Sequence, residues 1–176
     1  MCCAFACASA PASATVVIPA NLGELSREAL MIARGRVVAL DARWTDDHRT
    51  VETVVTLEAE TYLKGAFGPV VQFRVPGGQL GRYRSILVGA PEFLLGQRVV
   101  VFLAARGPAV PFVLGLGQGV FRIVPGAGGW VVTPPAVLPA AGGPVGMVRG
   151  DPARRPLPLE DFERQVRVLV GAGAAQ

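Results

Sequence analysis

The chain has 176 residues, which is enough for one domain with its own core and too short for two. It is 51% hydrophobic and 17% charged, but no run of about eighteen apolar residues follows the N-terminal segment, so the sequence predicts no transmembrane segment. The net charge of +4 is dispersed and interleaved with acidic residues, whereas nucleic-acid surfaces concentrate their basic residues, so we expect no nucleic-acid partner.

The first fourteen residues, MCCAFACASAPASA, predict a signal peptide, because they are small and apolar and end in Ala12-Ser13-Ala14. They lack a positively charged start, which leaves an upstream start or an N-terminal tail as alternatives. All three cysteines lie in this segment, so the mature chain would hold neither a disulfide nor a thiolate metal site. A lipid anchor on Cys7 is a further alternative. We therefore expect a secreted or periplasmic protein.

The first elements follow from local patterns. Asn21 followed by Glu24 is typical of a capped helix N-terminus and predicts a short helix over residues 22–29. Residues 30–40 are rich in branched side chains and predict a strand, in which Gly35 indicates a bulge or a close backbone approach. The polar residues 41–50 predict a turn.

Alternation of apolar and polar residues over 51–63 predicts a long strand with one buried face. The same pattern places Glu52, Glu58 and Glu60 on the outer, solvated face. Residues 98–105 are continuously apolar and predict a strand that is buried on both faces. The other strand candidates are residues 70–76, 85–89, 114–124 and 129–133.

The C-terminal region changes character. Residues 134–158 are rich in Pro, Gly and Ala and predict a linker, residues 159–170 predict an amphipathic helix, and residues 171–176 a tail. Many short strands without βαβ alternation predict a mainly β fold. We expect a small OB-like, closed or partly open β-barrel over residues 15–133, with the short N-terminal helix and the C-terminal helix packed on it.

The glycine-rich stretch VPGGQLGRYRSILVGAPEF, residues 75–93, is the one candidate for a phosphate loop. No helix pattern and no Walker lysine follow the glycines, so the stretch predicts a wide hairpin whose glycines supply positive φ. The single histidine, His48, lies beside Asp46 and Asp47 in what reads as a solvated turn rather than a metal site. No nucleophile and base pair is visible. We expect no enzyme activity, no cofactor and no metal.

Loops on a rigid barrel usually carry recognition, which makes the glycine-rich segments 77–83 and 115–119 the candidate contact surface. The alternative for each segment is that its glycines only turn corners. The predicted function is a non-catalytic binding module for another exported protein, such as a protease or an envelope component. An alternative is a binder of an anionic small molecule or polysaccharide through Arg74, Arg82 and Arg84. The candidate binding residues are Gly77, Gly78, Arg82, Tyr83, Arg84 and Gln118.

Several segments between Ala29 and about Val124 carry a resemblance: ALMIARGRVV, Trp44, TVVTLEAETYLKG, VPGGQLG, VGAPEFLLGQRVVVFL and GLGQGVF. In order and spacing the chain resembles a group of exported bacterial proteins whose fold is similar to the OB-type barrel of netrin modules and tissue inhibitors of metalloproteinases. The resemblance implies a five-stranded barrel with a helix packed on it and a protein-binding role. In those inhibitors an N-terminal cysteine chelates the protease zinc. Cleavage after Ala14 would leave Thr15 here, so that mechanism does not carry over.

Overall fold

The computed structural model describes residues 20–107, 109–135 and 155–173. The predicted signal segment, its cysteines and most of the predicted linker lie outside these residues. The helices are α1 (Leu22–Glu28) and α2 (Leu159–Gly173), with a 3-10 turn at Leu116–Gly119. The strands are β1 (Met31–Trp44), β2 (Val51–Lys64), β3 (Val70–Pro76), β4 (Gly78–Leu80), β5 (Tyr83–Ser85), β6 (Arg98–Ala104), β7 (Phe112–Val113), β8 (Val120–Gly126), β9 (Gly129–Thr133) and β10 (Leu157–Pro158).

The main sheet partly closes into a ring. Strand β1 pairs with β2 along its length, and its first half, residues 31–36, also pairs with β6. β2 continues to β3, which meets β7 through one parallel pair, Arg74 with Phe112, and β7 returns to β6. β8, β9 and β10 extend the sheet beyond β6. The predicted mainly β, partly open barrel with two flanking helices is confirmed.

The interior of the ring is filled by alternate residues of its strands, as the period of two requires. Val55 and Leu57 of β2 and Phe73 of β3 are fully buried there. The alternation predicted for residues 51–63 is confirmed from Val55 to Ala59, whereas Leu63 belongs to a second core outside the ring. Val71 and Val75 of β3 are buried in the interior together with Phe73.

Strand β6 is buried on both of its faces, as predicted. Val99, Val101 and Leu103 point into the ring, whereas Val100 and Phe102 point to a second core outside it. That second core is covered by the two helices, through Leu25 of α1 and Phe162 and Val166 of α2. The remaining members that are buried in it are Ala29, Ile32, Leu63, Phe121, Ile123 and Val132.

Helix α1 forms as predicted, since Asn21 and Glu24 make a reciprocal capping box. Its carboxyl end is satisfied by Lys64, whose Nζ donates to the carbonyls of Ser26 and Arg27 at 2.9 Å. Helix α2 runs to Gly173, beyond the predicted end at residue 170. Leu157 and Pro158, placed in the predicted linker, pair with β9.

Three predicted segments differ in the structure. Residues 41–44 are strand rather than turn, because β2 pairs with them from Asp41 to Trp44. The predicted strand over residues 85–89 is wrong: the strand there is β5, and residues 86–88 form no strand. The predicted strand over 114–124 begins only at Val120, because Gly115 and Leu116 have left-handed φ of 59° and 57°.

Ion pairs join α2 to the ring. Arg34 of β1 donates to Glu163 of α2 at 2.5 Å, and its Nε lies 3.2 Å from Glu60 Oε2 without hydrogen-bond geometry. Arg98 donates to both Glu60 oxygens, at 2.9 and 2.6 Å. The two hydrogen bonds from Arg98, together with the charges of Arg98 and Arg34, hold the pKa of Glu60 below its ordinary value. Partial burial of the Glu60 carboxylate acts in the opposite direction and raises its pKa.

This network predicts a pH dependence of stability. Because the pKa of Glu60 is lower in the folded state, its stabilising contribution is complete above the ordinary value of 4.5 and is lost as pH falls through the folded-state pKa. We expect Glu60→Gln to lose less unfolding free energy than the wild type between about pH 5 and pH 3 in urea denaturation. Glu58→Gln, which removes a more exposed pair with Arg36, is the control. Parallel curves for Glu60→Gln and the wild type would contradict the assignment.

At Gly35 the backbones of β1 and β2 approach too closely to leave room for a side chain. The register of the pair shifts between Arg34 and Gly35, and a Cβ at Gly35 would lie 2.2 Å from the backbone oxygen of Glu58. The predicted bulge and close approach are both confirmed. We expect Gly35→Ala to lower the free energy of unfolding by about 3 kcal/mol, because the backbone must move.

The matched control is Gly171→Ala on α2, where no atom lies within 4 Å of an added Cβ. It should stabilise the protein by about 0.5 kcal/mol through helix propensity. Chemical denaturation of the two variants checks both signs. Equal changes in the free energy of unfolding for the two variants would show that crowding at Gly35 does not determine the effect of an added methyl group.

Candidate functional site

The glycine-rich stretch forms a separate two-stranded hairpin. β4 and β5 pair through Gly78 with Ser85, Gln79 with Arg84 and Leu80 with Tyr83, which leaves Gly81 and Arg82 as a two-residue turn. The hairpin is therefore tight, and the predicted wide hairpin is wrong. Gly81 has φ of 58°, and this left-handed conformation is what so short a turn needs.

The hairpin packs on the ends of β1 and β2. The N–H of Gly77 donates to the carbonyl of Val51 at 3.0 Å, and Thr53 Oγ1 donates to the carbonyl of Gly77 at 2.8 Å. A Cβ at Gly78 would lie 2.5 Å from Thr53 Oγ1. Gly77 and Gly78 therefore permit the close contact that fixes the hairpin.

The aromatic and basic side chains of the hairpin are exposed. Tyr83 packs edge-on against Trp44 of β1, with ring centroids 5.2 Å apart. The Arg82 guanidinium lies 5.3 Å from the Tyr83 ring centroid, and its Nη2 donates to the Tyr83 hydroxyl at 3.3 Å. Gly77, Gly78 and residues 82–84 thus lie together at one hairpin.

A cavity of about 490 Å³ lies between this hairpin, the ends of β1 and β3, and residues 86–94. We call it the hairpin groove. Leu40, Ala42, Val75 and Phe93 contribute to its apolar wall, and Arg84 and Glu92 are the charged residues that line it. Its size is within the range of specific ligand sites.

Five exposed apolar side chains lie on residues 86–95, and we call them the apolar rim; three of them, Ile86, Leu87 and Leu94, line the hairpin groove. Ile86 is 72% exposed, Val88 73% and Leu94 71%. The other two members are Leu87 and Leu95. Single exposed apolar residues are ordinary, but five of them on one short segment are not.

The segment that carries the apolar rim is held in place. Phe93 is buried and packs edge-on against Phe73 in the ring, with centroids 5.5 Å apart. The N–H of Gly96 donates to the carbonyl of Val37 at 2.8 Å, and that of Gly117 donates to the carbonyl of Gly89 at 2.9 Å. The exposure of the rim is therefore a property of an anchored segment.

The second glycine-rich segment, residues 115–119, contacts the segment that carries the apolar rim through the hydrogen bond from Gly117 to Gly89. Gln118 is buried, and its Oε1 accepts a hydrogen bond from the N–H of Ala20 at 2.8 Å. The structure thus places Gln118 against Ala20 and not among the residues that line the hairpin groove.

Arg74 lies apart from Arg84, because it lines a different cavity, of about 400 Å³. We call this cavity, which Arg106, Glu52 and Phe112 also line, the arginine cleft. Arg82 lines neither cavity. The three arginines of the anionic-ligand alternative are therefore not gathered around one concave surface.

The expectation that Glu52 is solvated is wrong. Predicted on the solvated outer face of β2, it is 8% exposed, because Arg43 and Arg74 cover it. Arg43 Nη2 lies 2.9 Å from Glu52 Oε1, and Arg43 Nε donates to the same oxygen.

His48 lies in an exposed turn with φ of 54°. Within the described ranges, no three His, Cys, Asp or Glu side chains gather closely enough to hold a metal ion. In the same residues no helix is long and apolar enough to cross a membrane.

Comparison of the chain with family models, with curated proteins and with solved structures finds no match. The netrin-like resemblance therefore stays a prediction.

Sequence reasoning identified the hairpin but missed the apolar rim. The run Ile86-Leu87-Val88 predicts a strand, because apolar branched residues usually indicate burial. Gly89 and Pro91, which disfavour a continuous strand, were the available signals for a loop.

We expect Gly78→Ala to loosen the hairpin, because the added methyl would meet Thr53 and because φ of 145° disfavours a side chain. Tryptic cleavage after Arg82 and Arg84 should accelerate, since local opening exposes these bonds. Gly81→Asn is the control, as asparagine tolerates φ of 58° and no atom lies within 4 Å of the new Cβ. Equal cleavage rates in the two variants would show that the Gly78 contact does not hold the hairpin.

Proposed function

We propose that the protein is an exported, non-catalytic binding module, and that it binds another exported protein through the hairpin groove and the apolar rim. The observation that carries this proposal is the exposure of the rim on an anchored segment beside a cavity. Apolar side chains that stay in water forgo roughly 1.5–3 kcal/mol each, which a partner would recover by covering them.

The form of the groove favours an extended polypeptide segment as the occupant. Within the described residues, the edge of β1 over residues 38–44 that faces away from β2 pairs with no strand. Leu40 and Ala42 of this stretch also line the groove. A segment added along this edge would gain backbone hydrogen bonds while its side chains enter the groove.

The anionic-ligand alternative has less support as first stated. A ligand held by Arg74, Arg82 and Arg84 together would need them to line one cavity, and Arg74 and Arg84 line different ones. A protease or an envelope component remains the partner class that we propose.

Position-specific crosslinking tests the proposal. The full chain would carry a photoreactive amino acid at position 88 and be mixed with the exported proteins of its source organism. Position 168 on α2 is the control, since Val168 is 66% exposed but lies on a different element. We expect one dominant crosslinked protein from position 88 and none from position 168. Equal yields at both positions would contradict the proposal.

The affinity of the captured protein gives the matching mutational test. We expect Val88→Glu to weaken binding more than tenfold, because it removes an apolar contact and buries a carboxylate without a partner. Val168→Glu makes the same change in charge and should leave the dissociation constant unchanged. Isothermal titration calorimetry measures both. Similar losses in the two variants would exclude the rim as the contact surface.

A further inference from the structure

We infer that the arginine cleft binds a carboxylate that carries an apolar group. This inference is independent of the proposed function, because it concerns a different cavity and different side chains. The cleft has a volume of about 400 Å³, which suits a small ligand or one terminal residue of a chain.

The charge of the cleft favours an anion. Glu52 is neutralised by Arg43, which contacts it through two nitrogens. Arg74 lies 3.8 Å from Glu52 and 3.9 Å from Asp46, and the Asp46 side chain is 94% exposed, so water screens it. With Arg106 added, the described residues of the cleft carry more positive than negative charge.

Arg74 has unused hydrogen-bonding capacity. Its side chain is 28% exposed, and both of its ion-pair distances exceed hydrogen-bond length. Its guanidinium has five N–H donors and makes no side-chain hydrogen bond to the described residues. An arginine side chain that is largely covered and has free N–H donors is suited to bind a carboxylate in bidentate fashion.

The second arginine faces the same region. The Arg106 guanidinium lies 5.7 Å from the centroid of the Phe112 ring, and Phe112 is the strand partner of Arg74. Both arginines line the same cavity as this aromatic ring. Arg106 would supply a second contact to an anion that Arg74 holds.

The apolar residues of the arginine cleft favour an apolar group on the part of the ligand beyond its carboxylate. Val51, Pro76, Val110 and Phe112 present apolar surface to the cleft. A small hydrated anion such as phosphate would leave this surface uncovered, whereas a ring or branched chain would cover it. The chemistry that fits is a monocarboxylate with an apolar body, supplied either as a free organic acid or as the C-terminal residue of a polypeptide.

The test is titration of the full chain with two probes, benzoate for the free acid and N-acetylphenylalanine for a chain terminus. NMR signals of the arginine Nε–H groups report the site. We expect saturable binding of at least one probe, with shifts at Arg74 and Arg106, and affinity that falls as salt is added. Benzamide, which is neutral and of similar shape, should bind at least tenfold more weakly.

Substitutions identify the residues. We expect Arg74→Gln and Arg106→Gln each to weaken the affinity for the probe at least tenfold. Arg84→Gln, which alters the hairpin groove, should leave that affinity unchanged. Arg106 is exposed, so its variant keeps the test valid if Arg74→Gln destabilises the fold.

The outcomes separate the possibilities. Tighter binding of N-acetylphenylalanine would support a chain terminus, and equal or tighter binding of benzoate a free acid. Failure of both probes to saturate, or unchanged affinity in Arg106→Gln, would overturn the inference. Phosphate binding as tightly as benzoate would overturn the apolar part of it. None of these results depends on whether the apolar rim binds a protein.

Discussion

The fold depends on one constraint, the burial of strand β6 on both of its faces. Val99, Val101 and Leu103 must be covered on one side, and Val100 and Phe102 on the other. A single sheet layer cannot do both, so the sheet curls around the first set and the two helices cover the second. The ion pairs of Arg34 with Glu60 and Glu163 then join the helical layer to the ring at its polar margin.

Because the curled sheet covers one face of β6 and the two helices cover the other, apolar surface elsewhere on the ring stays uncovered. Both helices are used on the second core, so the ring is closed beside the groove by a loop that inserts Phe93. A loop anchored by one aromatic side chain and a few backbone hydrogen bonds cannot turn all of its apolar residues inward. The apolar rim is therefore a consequence of the architecture as much as a candidate surface for recognition.

The sequence predicts those parts of the fold whose signal is local or periodic. Alternation identified the buried faces of β2 and β3, and continuous apolarity identified β6, because burial acts directly on residue type. Residues 41–44 are strand against the prediction because β2 pairs with them, and a polar composition does not reveal such a partner. At residues 86–88 the following Gly89 and Pro91 are signals for a loop, and the apolar run outweighs them in the prediction. Glu52 was assigned to the correct face, but its burial comes from Arg43 and Arg74, which lie on other strands.

The two candidate surfaces share strand β3, and its alternation explains why their chemistry differs. Val75 faces the interior and lines the hairpin groove, whereas its neighbour Arg74 faces outward and lines the arginine cleft. Pro76 ends the strand, because it lacks the N–H that would continue a ladder, and it borders both cavities. A change of side chain at position 74 therefore alters one surface and leaves the apolar wall of the other in place. One strand end thus presents an apolar side chain to one cavity and a basic side chain to the other.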